Sequence, residues 1–121
     1  MAAVVTSVRT WRTIRARGEF DRAFDVYHRA LRDALPSNDP ATIAAAEQGL
    51  GWVAAMRGDY PGAVRRYACV SGDEWQQSLE PEERALFAAD VEWLRALVPE
   101  ETFDAAWRVG IAADGEPVGA R

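Results

Sequence analysis

The sequence predicts an all-α fold of three antiparallel helical hairpins, about six helices in all, stacked as a short array. The first observation is an internal repeat. The pattern Gly, acid, aromatic, two residues, Ala, three residues, Tyr occurs at 18–27 and again at 58–67. The second is apolar spacing of three to four residues, as from Leu86 to Val98. The third is that no useful stretch alternates apolar and polar residues, so we expect no sheet.

Composition indicates one domain. The chain has 121 residues, 49% of them hydrophobic, which is enough for a single core. We expect a helical domain at 1–110 and a flexible tail at 111–121. The net charge of -5 argues against nucleic acid as a partner. No apolar run is long enough to span a membrane, and no secretory signal is evident. The single cysteine, Cys69, favours a cytoplasmic location.

Capping and breaking residues place the first three helices. The first is predicted over Ala3–Arg17 and the second over Phe20–Leu35, where Pro36 and the polar residues after it interrupt the chain. Asp39 can cap the third helix, with Pro40 in its first turn, and this helix should continue to Arg57.

The later helices follow from the same signals. Asp59 can cap the fourth helix, which tolerates Pro61 in its first turn. Acidic residues at 80–84 suit the positive end of the fifth helix. The remaining predicted features are an end to the fourth helix at Ser71–Asp73, a short turn around Trp75, a break at Val98–Pro99 and a sixth helix over Thr102–Val109.

The repeat resembles that of tetratricopeptide repeat proteins. The second copy carries the resemblance through Leu50-Gly51, Gly58-Asp59-Tyr60, Ala63 and Tyr67. In the first copy Thr10-Trp11 replaces the usual Leu-Gly pair, and an insertion lengthens the unit from the usual 34 residues to 40. The resemblance implies that the hairpins stack as a short tetratricopeptide-like right-handed array that recognises another molecule.

A narrower resemblance covers about residues 37–110. Ser37-Asn38-Asp39 before an Ala-rich helix, Leu79-Glu-Pro-Glu-Glu-Arg84 and Phe103-Asp-Ala-Ala-Trp107 are similar to the C-terminal helical tails of large bacterial LuxR-type ATP-binding transcriptional regulators. The chain shows neither a phosphate loop nor an evident helix-turn-helix reader. The resemblance therefore implies an interaction or regulatory module, without ATP or DNA binding.

Candidate catalytic groups have simpler interpretations. His28 is the only histidine and has no second base or ligand one turn away, so a solvent-facing position is favoured over catalysis. Cys69 lies in an apolar helix without a neighbouring His, which favours a buried structural thiol. Capping explains the acids at helix starts better than a cation site does. These acids are Glu80, Glu82, Glu83, Glu100, Glu101 and Asp104. The sequence predicts no cofactor, metal or catalytic residue.

The tetratricopeptide resemblance implies that the first helix of each hairpin lines a concave groove. The residues this geometry assigns to the groove are Val5, Val8, Arg12, Arg15, Gln48, Trp52 and Met56. Aromatic, thioether and guanidinium groups together suit an acidic or C-terminal peptide, or a small carboxylate. The alternative is that Trp52 and Met56 pack beneath neighbouring helices.

The leading hypothesis is an adaptor or regulatory module that binds a protein partner through this groove. Residues 1–35 contain seven Arg and four acids, whereas 36–121 contain seven Arg and fifteen acids, so homodimerisation through end faces is also plausible. The rival is a small helical enzyme or metabolite-binding protein of a bacterial biosynthetic pathway. A third hypothesis is that the chain is the tail of a larger regulator.

Overall fold

A computed structural model describes residues 20–37 and 39–113 of the chain. These residues form six helices and no strand, which confirms the all-α prediction for this part of the chain. The helices are α1 Phe20–Ala34, α2 Pro40–Met56, α3 Tyr60–Cys69, α4 Asp73–Gln77, α5 Pro81–Leu97 and α6 Glu100–Ala112. The first predicted helix, Ala3–Arg17, lies outside the described residues.

Helices α1 and α2 pack through a tyrosine on a glycine. Tyr27 is buried, and a Cβ atom added at Gly49 would come within 2.6 Å of its ring. Because Gly49 has no side chain, the Tyr27 ring can pack directly against the backbone of α2. Asp39 precedes α2 as predicted, but its carboxylate accepts a hydrogen bond from the Thr42 hydroxyl at 2.6 Å and none from a backbone amide.

Helices α2 and α3 are joined by a tight turn and also pack through a tyrosine on a glycine. Gly58 has a φ of 88° and turns the chain, and the Asp59 carboxylate caps α3 by accepting from the Gly62 amide at 3.0 Å. A Cβ added at Gly51 would lie 2.7 Å from the ring of Tyr67. Tyr27 and Tyr67 occupy equivalent positions of the repeat. Tyr27 of α1 packs on Gly49 and Tyr67 of α3 packs on Gly51, so both neighbouring helices contact α2 in the same way.

Helix α5 begins as its acidic start predicts, because the Glu83 carboxylate accepts from the Glu80 amide at 2.8 Å. Its buried residues Phe87 and Leu94 join Tyr67 and Phe103 in one core cluster. The Phe87 ring meets the Tyr67 ring edge-on, with centroids 5.3 Å apart. The predicted apolar stripe of this helix therefore faces the core.

Helix α6 is longer than its prediction of Thr102–Val109. It starts directly after Pro99 and continues through Gly110 to Ala112. Gly110 is buried inside the helix, where an added Cβ would lie 2.5 Å from both Ala68 Cβ and the Arg65 carbonyl oxygen. It therefore permits close packing of α6 on α3 instead of ending the helix, and the predicted tail loses its first two residues to α6. Residues 114–121 lie outside the described ranges.

Candidate functional site

The predicted partner groove is described only in its α2 half. Its other residues, Val5, Val8, Arg12 and Arg15, lie outside the described ranges. Gln48 is 1% exposed and Trp52 is 7% exposed, while Met56 is half-buried against the cluster between α1 and α2. This burial agrees with the alternative that Trp52 and Met56 pack beneath neighbouring helices. The groove as a whole stays a prediction.

A buried carboxylate joins α2 to α3. Glu47 on α2 is 0% exposed, and Arg66 Nη1 on α3 donates to its Oε1 at 2.6 Å. The arginine offsets the cost of burying the negative charge. The single S–H of Cys69 has two acceptors within reach, the Arg66 carbonyl oxygen at 3.1 Å and Oε2 of the same carboxylate at 3.4 Å. Cys69 is free and buried, as predicted, and its structural role stays a prediction.

A second buried carboxylate joins α5 to α2 and α3. Tyr67 Oη donates to Asp90 Oδ2 at 2.6 Å, and Gln48 Nε2 donates to the same oxygen at 3.5 Å. Gln48 thus bonds within the core instead of lining a solvent-facing groove. Because both buried carboxylates accept hydrogen bonds from neighbouring helices, they position those helices relative to one another.

His28 and the acids at helix starts are the other candidate groups that the sequence indicates. His28 is exposed and stacks on the Phe24 ring with centroids 5.4 Å apart. Among the described residues, no group of three or more His, Cys, Asp and Glu side chains is placed to hold a metal ion. The exposure of His28 agrees with its predicted surface position, and among the acids at helix starts Glu80 and Glu83 form a capping box at α5.

An open groove lies between α3 and α6. It has a volume of about 410 Å³ and a mostly apolar lining, and we call it the α3–α6 groove. Val109 is 57% exposed, although valine is a residue type that folding often buries. The lining residues are Pro61, Arg65, Glu101, Thr102, Ala105, Ala106 and Val109.

Sequence reasoning did not single out this groove. The signal was present, since Thr102, Ala105 and Val109 recur at the three-to-four-residue spacing of one helix face. The same spacing is typical of a core stripe. Only the packing of α6 on α3 shows that this face stays outside the core while Phe103 and Ala106 enter it.

Comparison with known proteins assigns the chain to no family. No family model matches the sequence, and no curated protein or solved structure is significantly similar to it. Within the described residues, no helix combines the length and the apolar character needed to cross a bilayer.

Proposed function

We propose that the chain is a tetratricopeptide-like protein-interaction module that binds an amphipathic helix of a protein partner in the α3–α6 groove. The exposure of Val109 in an apolar groove carries the proposal. A groove between two helices fits a third helix, whose apolar residues at i, i+3, i+4 and i+7 fill it. An interaction role agrees with the resemblance to the helical tails of LuxR-type regulators and with the predicted cytoplasmic location.

The charges at the groove specify the partner helix further. Arg65 belongs to the α3 wall and Glu101 to the α6 wall, and both are exposed. Neither forms an ion pair with another described residue. A partner helix with an acidic group facing Arg65 and a basic group facing Glu101 would match both charges and fix its direction in the groove.

The experiment is site-specific photo-crosslinking in extracts of the native host. A photoreactive amino acid at position 109 should give discrete protein adducts. The same group at Ile111, which is 45% exposed on another side of α6, is the matched control. Adducts from position 109 should disappear when Ala105→Arg fills the groove. Equal yields from both positions would overturn the proposal.

The rival, a metabolite-binding protein or enzyme, needs polar groups that face a ligand. The buried acids Glu47 and Asp90 instead accept hydrogen bonds from Arg66 and Tyr67. A thermal-shift screen of metabolites tests this rival directly, because a specific ligand raises the melting temperature as it saturates its site.

A further inference from the structure

We draw no further inference here: the strongest candidate, the apolar face that the half-buried Trp107 and the exposed Ile111 form on another side of α6 than the α3–α6 groove, carries none because nothing in the structure shows what covers it.

Discussion

Gly51→Ala sets two physical effects against each other. Alanine is the better helix former by about 1 kcal/mol, so helix propensity alone predicts that the substitution stabilises α2. Packing predicts the opposite. The added Cβ would lie 2.7 Å from Tyr67 Cε2 and 2.9 Å from Tyr67 Cδ2, closer than carbon atoms approach without movement.

The surroundings of Tyr67 decide the magnitude. Its ring is buried at 0% exposure, and its hydroxyl is held by the Asp90 carboxylate at 2.6 Å. The ring therefore has little room to move away, and overpacking should cost about 2 to 3 kcal/mol. After the propensity gain, we expect Gly51→Ala to lower the free energy of unfolding by about 1 to 2 kcal/mol.

Urea denaturation followed by circular dichroism at 222 nm measures this change. The urea midpoint should fall by roughly 0.5 to 1 M. Ala89→Gly, at an exposed position of α5, measures the propensity effect by itself and should cost about 1 kcal/mol. In a Tyr67→Phe background the ring is released from Asp90, so Gly51→Ala should cost less there. A Gly51→Ala variant that is more stable than the wild type would refute the packing argument.

Three further substitutions test the other contacts. Asp59→Ala removes the cap of α3 and should cost about 1 kcal/mol, measured as a urea midpoint shift; no shift would mean that water replaces the cap. Arg66→Met leaves the fully buried Glu47 carboxylate without its arginine and should cost about 2 to 3 kcal/mol, part of which Glu47→Gln in the same chain should recover. If Glu47→Gln lowered the stability of the Arg66→Met variant further, the buried charge would not be the cause of the destabilisation. Arg57→Ala breaks an ion pair with Asp21. Because the Asp21 side chain is 97% exposed, the melting temperature should change little. A large decrease would contradict the small contribution to stability expected of exposed ion pairs.

Helix boundaries are predictable here because local residues set them. Gly58 turns the chain, Asp59 caps α3, and the acids before Arg84 open α5 within a few positions of where the sequence places them. These effects depend on neighbours along the chain. Gly110 differs, because its role depends on Ala68 and Arg65, which are distant in sequence. A glycine near the end of a helical pattern looks like a stop signal until its packing partner is known.

The exposed faces are less predictable, and α2 shows why. Its buried residues surround the helix and include Glu47, Gln48 and Trp52 as well as small residues. A helix buried on all sides has no polar face, so periodicity cannot indicate which of its residues meet solvent. The sequence could therefore identify α2 as a helix but could not place Gln48 and Trp52 inside the core.

Burial distinguishes the polar groups of the core from the residues for which recognition is proposed. The groups with the most reactive chemistry, the Glu47 and Asp90 carboxylates and the Cys69 thiol, are buried and hydrogen-bonded between helices. Fold stability accounts for them. Val109 differs, because its exposed side chain in a mostly apolar groove would gain hydrophobic free energy on burial by another molecule. Burial by a partner helix would supply that gain. Recognition is therefore proposed for the mostly apolar face of α6 and not for the buried acids of the core.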